Sequence, residues 1–301
     1  MKHEGSYSPH VCALSDGRAG NARQAEALAA ALLGRDDGSR AGSLQGASGF
    51  GPSSHTLHPR LPWRLWAPWR GPGAESAFGS DFRALLETPP GLAVGCGRQA
   101  ALATRLLRAQ GSRAVQILDP RADPAHWDLL VVPEHDAEAR PGLRRARNVL
   151  TTLGSLHPID DIWLAAARAD FPALGALPRP ITTVLLGGPT RHARFERMAF
   201  EVLASKLEVA LARDGGSVLM LTSRRSTREL RGVLTHRYAE TPGLVWRSER
   251  DGPNPYRGAL AWADRIVCSP DSVNMITEAC ATRAPVHVFD PARVRGRPRR
   301  F

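Results

Sequence analysis

The chain is built from a repeating alternation of short apolar runs and amphipathic segments. The first run, "HVCALS" at residues 10–15, is followed by a polar turn and then by apolar residues at helical spacing, Ala25, Leu28, Ala29 and Leu32. The same order returns at "GLAVGC" with "RQAALATRLLRAQ", and "AVQIL", "DLLVV" and "NVLTT" add further strand candidates. Because parallel strands need a crossover connection, usually a helix, this alternation predicts a parallel sheet covered by helices.

A second alternation starts after residue 180. Its strand candidates are "ITTVLLGG", "SVLMLTS", "GLVWRS", "RIVCS" and "VHVFD", with amphipathic segments between them. The stretch "ADFPALGALPRP" at residues 169–180 contains three prolines and is interpreted as the link between two domains. We therefore predict an α/β protein of two Rossmann-like domains facing across a cleft, at residues 1–175 and 176–301.

Composition adds expectations about surface and compartment. Residues 34–54 are rich in Gly and Ser and are expected to form a flexible insertion in the first domain. No signal peptide is recognised, and no window has the roughly 18 apolar residues of a membrane span. Four isolated cysteines are expected to be small buried hydrophobes in a reducing cytoplasm, Cys12, Cys96, Cys268 and Cys280.

The charge balance indicates anionic partners. Lys and Arg number 40 and Asp and Glu number 29, and the net charge of +11 should attract phosphates or acidic lipid headgroups. The basic residues are scattered rather than gathered in a run with interleaved aromatic residues, which argues against a nucleic-acid partner. No paired H-x-x-x-H or C-x-x-C spacing is present, so no metal site is expected.

A glycine pair marks the start of the second alternation. In "VLLGGPTRHARFE", Gly187 and Gly188 follow a strand and precede a helix, where free backbone N–H groups are expected to point outward at an anion. Arg191, His192 and Arg194 follow and would add charge-assisted contacts, so a diphosphate is the expected ligand. The alternative is a tight turn with solvated arginines.

Two further crossovers present polar side chains at the same predicted edge. "MLTSRRSTREL" provides Ser223 and Arg224, and "VCSPDSVNMITEA" provides Asp271 and Ser272 at a helix start. Glu278 follows Asp271 by seven residues and shares its helix face, so we expect its carboxylate to accept hydrogen bonds from ribose or sugar hydroxyls. The alternative for Glu278 is a solvent-facing helix residue.

A set of motifs occurs in a specific order along most of the chain. They are "SDGRAGNARQA", "GCGRQAAL", "ILDPRADPAHWDLLVVPEHD", "NVLTTLGSLH", "GGPTRHARF", "TSRRS" and "NPYRGALAWADRIVCSPDSVNMITEACATRAPVHVF". In these motifs the chain resembles the mitochondrial-fission "elongated mitochondria" family, whose bacterial members are described as glycosyltransferases or nucleoside-diphosphate-sugar epimerases. More distantly, the fold is similar to that of GT-B glycosyltransferases.

The resemblance implies a division of labour between the domains. In the GT-B fold the second domain holds the nucleotide sugar, as a co-substrate rather than a resident cofactor, and the first holds the acceptor. The resemblance therefore implies donor contacts from six residues, Gly187, Gly188, Ser223, Arg224, Ser272 and Glu278. The implied activity is transfer of a sugar to an acceptor at the cytoplasmic face of the membrane.

Such a transfer needs a base for the acceptor hydroxyl proton, a contribution of typically about 10²–10⁴-fold. Asp16 follows the first strand and is the preferred candidate, and His135, flanked by Glu134 and Asp136, follows a later one. The alternatives are that Asp16 caps the next helix, which is expected to begin near Asn21, and that the acid-histidine trio is ordinary loop charge.

One segment has the composition of a membrane interface. In "HPRLPWRLWAPWR", Trp63, Trp66 and Trp69 stand three residues apart and alternate with arginines. Aromatic residues with basic neighbours suit an anionic lipid surface, as a lipid-linked acceptor would require, and predict a protein peripheral to the membrane. The alternative is that the tryptophans cover the core of the first domain.

Two other classes of function remain open. Gly95, Gly97 and Ala100 have the G-x-G-x-x-A spacing of a dinucleotide fingerprint, and Asp119 ends the next strand, as in an NAD-dependent sugar-nucleotide epimerase or oxidoreductase. The fission role of eukaryotic relatives instead suggests an interaction scaffold without catalysis.

Overall fold

The computed structural model describes residues 10–36, 52–190, 193, 195–238, 240–291 and 293–294. The chain divides into two compact units between Pro158 and Ile159. Each unit is an α/β layer structure around a parallel sheet, as the alternation of apolar runs and amphipathic segments predicted.

The first unit contains a six-stranded parallel sheet with the order β2-β1-β3-β4-β5-β6. Its strands are β1 (Val11–Ser15), β2 (Ser53–Thr56), β3 (Leu92–Cys96), β4 (Arg113–Ile117), β5 (Leu129–Pro133) and β6 (Val149–Thr152). Strand β2 was not predicted, because its sequence "SSHT" has no apolar run. It begins within the stretch expected to be a flexible insertion and pairs with β1 at the edge of the sheet. Residues 37–51 of that stretch lie outside the described residues.

The helices of the first unit follow the strands as crossovers. They are α1 (Ala19–Asp36), α2 (Trp63–Trp66), α3 (Ser80–Glu87), α4 (Arg98–Ala109), α5 (Glu134–Glu138) and α6 (Pro141–Arg145). Helix α4 is the most buried of these helices and packs against the sheet through Leu102, Leu106 and Leu107.

The second unit contains a five-stranded parallel sheet with the order β11-β10-β7-β8-β9. Its strands are β7 (Ile181–Leu186), β8 (Ser217–Thr222), β9 (Gly243–Trp246), β10 (Arg265–Cys268) and β11 (Val286–Val288). Strand β7 is buried along its whole length. Ile181 and Leu185 pack into one apolar cluster and Val184 and Leu186 into another. The strand reads as an unbroken apolar run because helices cover both of its faces.

The described residues of the second unit contain six helices. They are α7 (Asp161–Asp170), α8 (Pro172–Gly175), α9 (Arg197–Asp214), α10 (Arg228–Arg237), α11 (Tyr256–Trp262) and α12 (Val273–Cys280).

Contacts with α11 explain why the boundary between the units lies at residues 158 and 159 rather than at the predicted residues 175 and 176. Arg168 Nε of α7 donates to the carbonyl oxygen of Ala261 at 2.9 Å, and Trp262 Nε1 donates to that of Phe171 at 2.9 Å. The proline-rich stretch read as a link therefore packs on α11 inside the second unit.

Candidate functional site

Each sheet has a switch point, where neighbouring crossovers lead to opposite sides, and open α/β sheets bind ligands at such points. In the first unit the switch point lies between β1 and β3, and in the second between β7 and β10. Asp16 and Gly97 follow the two strands of the first switch point. Gly188 and Asp271 follow those of the second. Some of the predicted site residues thus lie at the two switch points, whereas Ser223 and Arg224 follow β8 and His135 follows β5.

A buried carboxylate connects the loops at the switch point of the second unit. The Asp271 side chain has no exposed surface and accepts three hydrogen bonds. Gly188 N and Arg225 Nη2 each donate to its Oδ2 at 2.9 Å, and Ser269 Oγ donates to its Oδ1 at 2.6 Å. Asp271 thus joins the loops that follow β7, β8 and β10.

The two glycines are required by this close packing. A Cβ at Gly187 would lie 1.9 Å from Asp271 Oδ2, and one at Gly188 would lie 2.1 Å from the carbonyl oxygen of Arg225. Gly187 N donates to Ser269 Oγ at 2.7 Å, and Gly188 N donates to Asp271. The expectation that these N–H groups point outward at an anion is therefore wrong, because side chains of a distant loop accept both.

The predicted serines also have structural partners. Ser223 Oγ accepts from Arg225 N at 3.2 Å, and Ser226 Oγ donates to the carbonyl oxygens of Leu186, at 3.2 Å, and Gly187. These contacts lock the turn after β8 onto the turn after β7. Ser272 caps α12 and accepts from Met275 N at 3.4 Å.

Arg224 is an exposed cation at this edge of the sheet. Within the ranges that the structure describes, it forms no ion pair, whereas the charge of its neighbour Arg225 is offset by Asp271. Arg191, His192 and Arg194 lie outside the described residues.

Glu278 is buried and points into the second unit. Only 3% of the residue is exposed, and its Oε2 accepts a hydrogen bond from Tyr256 Oη at 2.5 Å. The solvent-facing alternative is therefore wrong. Tyr256 lies in the first turn of α11. Its role as the partner of Glu278 was not predicted, because nothing in its local sequence links it to a residue on α12.

The first switch point is formed around Asp16. Its Oδ1 accepts from Asn21 Nδ2 at 2.9 Å and from Arg18 N at 3.2 Å, so the carboxylate orders the start of α1. A Cβ at Gly97 would lie 2.7 Å from Asn21 Nδ2. Asp16 therefore lies beside the turn between β3 and α4.

The two candidate bases are far apart. His135 lies on α5 after β5, and strands β3 and β4 separate β5 from the Asp16 strand β1. Three inter-strand spacings of about 4.8 Å put these strands about 14 Å apart. Asp16 and His135 therefore cannot act on the same proton. Next to the buried His135, Glu134 pairs with Arg144 at 3.0 Å.

The residues of the dinucleotide fingerprint contact other protein groups. A Cβ at Gly95 would lie 2.6 Å from Thr104 Cγ2, so this glycine permits close packing of α4 on the sheet. Asp119 Oδ1 accepts from Arg140 Nη1 and from Arg121 N, each at 2.8 Å. The carboxylate that would hold a ribose in an NAD site thus already binds Arg140 through its Oδ1.

The tryptophan segment divides between core and surface. Trp63 is buried, whereas 55% of Trp66 and 59% of Trp69 is exposed. Two arginines of helix α4 donate hydrogen bonds to the backbone of the segment. Arg98 donates to the carbonyl oxygens of Arg64 and Leu65, and Arg105 Nη1 donates to that of Pro68 at 2.6 Å.

Three remaining expectations concern metals, membrane spans and cysteines. Over the residues described, no cluster of three or more His, Cys, Asp and Glu side chains is arranged to hold a metal ion. In that same part of the chain, none of the helices combines the length and apolarity needed to cross a bilayer. Cys12, Cys96 and Cys268 are buried as expected, but Cys280 is exposed.

The fold defines a GT-B-like α/β protein with two Rossmann-like units. The S. aureus MnaA–UDP co-structure has a TM-score of 0.53 to this chain at 11% sequence identity, and the superposition covers 96% of this chain and 80% of that chain. The family model for mitochondrial fission ELM1 matches residues 19–301, and the chain belongs to this family.

Two curated relatives are similar in sequence. Mitochondrial fission protein ELM1 of Arabidopsis thaliana is 32% identical over 221 residues, which are 66% of this chain and 51% of that protein. Uncharacterized protein RP120 of Rickettsia prowazekii is 21% identical over 235 residues, which are 67% of this chain and 65% of that protein. The chain thus matches about half the length of the plant relative.

Proposed function

We propose that the protein is a glycosyltransferase that uses a nucleoside-diphosphate sugar, bound at the switch point of the second unit. The observation that carries the proposal is Arg224, an exposed cation without an ion pair in the described part of the chain, at the edge where three loops are locked together. A guanidinium binds phosphate oxygens in a bidentate geometry. A protein of the same fold is known in complex with UDP.

The glycine and aspartate residues support this site indirectly. Gly187, Gly188 and Asp271 fix the loop geometry, and the charged contact to the diphosphate comes from Arg224. Preorganised loops lower the ordering cost of ligand binding. For the ribose we propose the half-buried Tyr256, whose hydroxyl is held from inside the unit by its hydrogen bond to the buried Glu278.

For the acceptor we propose the first unit, with Asp16 as the base. Asp16 lies at that unit's switch point, its side chain is 9% exposed, and its Oδ2 lies 3.5 Å from Nε of the exposed Arg18, which an acceptor would displace. His135 is the second candidate and would require an acceptor bound about three strands away.

We also propose that the protein contacts an anionic membrane through the tryptophan segment. Trp66 and Trp69 are exposed together with Leu61 and Leu65, which are 70% and 67% exposed. Indole rings among arginines suit the headgroup region of a bilayer, where a lipid-linked acceptor would be found.

A ligand panel tests the proposed activity. Thermal unfolding is measured with UDP, GDP, CMP, their sugars and NAD. A ligand at about 100 times its dissociation constant stabilises the native state by about 2.7 kcal/mol. We expect a nucleoside diphosphate to raise the melting temperature and NAD to leave it unchanged. A response to NAD alone contradicts the proposal, and nucleotide binding without sugar turnover favours the interaction scaffold.

A further inference from the structure

A cavity of about 310 Å³ in the first unit is lined by basic side chains. It lies beside the C-terminal half of α4, and its walls are formed by five residues, Arg70, Arg105, Arg108, Ala109 and His126. Every ionisable side chain in this set is basic. The cavity is separate from the first switch point, because Arg105 lies eight residues beyond Gly97, about 12 Å along the helix.

Arg105 is the central cation of this basic cavity. It is half-buried, and its Nη1 donates to the carbonyl oxygen of Pro68 at 2.6 Å. Its guanidinium carbon lies 5.9 Å from the centre of the Trp127 ring. Among the residues that the structure describes, no carboxylate pairs with it. A half-buried guanidinium without an acidic partner favours an anionic ligand.

Two of the three neighbouring carboxylates, Glu75 and Asp128, pair with arginines of the cavity itself, whereas Arg105 has no such pair among the described residues. Glu75 pairs with Arg70 at 3.1 Å in an exposed contact, which costs little to open. Asp128 accepts from Arg108 Nη2 at 3.2 Å and from Ala114 N at 2.8 Å, and Asp123 accepts from Ala125 N at 3.0 Å. None of the three carboxylates lines the cavity.

The basic groups also repel one another. Burial, followed by the charge of Arg70, lowers the pKa of Arg105. Burial, followed by the charge of Arg105, lowers the pKa of His126, and Asp123 opposes this only in part. Both shifts have the sign expected where positive charge accumulates without enough negative charge, and an anion would relieve it.

We propose that this basic cavity binds a phosphate group, either that of a lipid headgroup or that of a soluble phosphate compound. Arg105 can donate charge-assisted hydrogen bonds to the phosphate, and Arg70 can do so once its exposed pair with Glu75 opens. The exposed Trp69 ring precedes Arg70 in the chain and lines the adjacent cavity with Pro124 and Arg140, so an apolar surface lies next to the proposed phosphate. The site does not depend on the proposed sugar transfer.

Vesicle flotation and calorimetry test the site with the full chain. The probes are phosphatidylcholine vesicles with and without phosphatidic acid, and inorganic phosphate titrated in the calorimeter. We expect Arg70→Gln and Arg105→Gln each to weaken binding of the phosphate-bearing probe about tenfold, which corresponds to about 1.4 kcal/mol, because each variant loses a charge-assisted hydrogen bond to the phosphate. Arg83→Gln is the matched control, because Arg83 is an exposed arginine of the same unit on α3, and it should bind as the unchanged protein does.

The two probes separate the sources of the phosphate. Binding to phosphatidic acid vesicles without binding to inorganic phosphate assigns a lipid ligand, and the reverse assigns a soluble one. Arg105→Lys retains the charge and should retain most of the binding, which distinguishes ligand recognition from loss of the Pro68 contact. The proposal is overturned if neither probe binds, or if Arg70→Gln and Arg105→Gln bind as tightly as Arg83→Gln.

Discussion

Asp271 shows how single residues decide the geometry of the second switch point. Its carboxylate is buried and holds the loops after β7, β8 and β10 through Gly188, Arg225 and Ser269. The glycines of "VLLGGPT" leave room for this carboxylate and do not present N–H groups to a ligand. The local sequence marked loops that meet at this switch point, but it could not reveal that the Asp271 side chain from another loop would fill the space beside the glycines.

Gly187→Ala should therefore strongly destabilise the second unit. The new Cβ would lie 1.9 Å from Asp271 Oδ2, a distance that forces the carboxylate away from its donors. We expect a loss of about 2–4 kcal/mol in the free energy of unfolding, measured by urea denaturation. Gly232→Ala is the control. No atom lies within 4 Å of its added Cβ, and alanine in a helix should stabilise by about 0.5–1 kcal/mol. Equal effects of the two changes would contradict the packing described for Gly187.

At the scale of elements, the strands with apolar runs and the helices that follow them were predicted well. The polar strand β2 and the packing of the proline-rich stretch were not. The amphipathic segment between "ITTVLLGG" and "SVLMLTS", for example, is helix α9 at Arg197–Asp214. Strand β2 was missed because it is polar and pairs only with β1 at the sheet edge. The stretch at residues 169–180 was read as a link because proline is frequent there, and its packing on α11 depends on contacts that local composition does not report.

The tryptophan segment is the element through which we expect the protein to bind a membrane. Changing both Trp66 and Trp69 to Ser should reduce binding to phosphatidylglycerol vesicles at least about tenfold, because two exposed indole rings lose their burial in the interface. Binding should also weaken with salt, since screening acts within about 8 Å at physiological ionic strength. Ile162→Ser is the control, an exposed apolar residue of the second unit. Unchanged flotation of the double variant would remove the segment from the membrane proposal.

At the scale of the whole molecule, each sheet places side by side loops that are distant from one another along the chain. Both switch points fall at loops that the motifs had marked, after β1 and β3 in one unit and after β7 and β10 in the other. Strand order made the difference for the candidate bases, because it puts Asp16 at a switch point and His135 three strands away. Neither strand order nor the partners of Asp271 and Glu278 follow from spacing, since they depend on pairing between distant segments.

Calorimetric titration of the full chain with UDP and with uridine tests the central claim most directly. We expect UDP to bind, and Arg224→Gln to weaken UDP about tenfold while leaving uridine unchanged, since the lost contact is to phosphate and contributes about 1.5–3 kcal/mol. Lys206→Gln, which removes an exposed charge from the middle of α9, should bind UDP as the unchanged protein does. Absence of binding by UDP and GDP alike, or equal UDP affinity in the Arg224 and Lys206 variants, would contradict a diphosphate site at the second switch point.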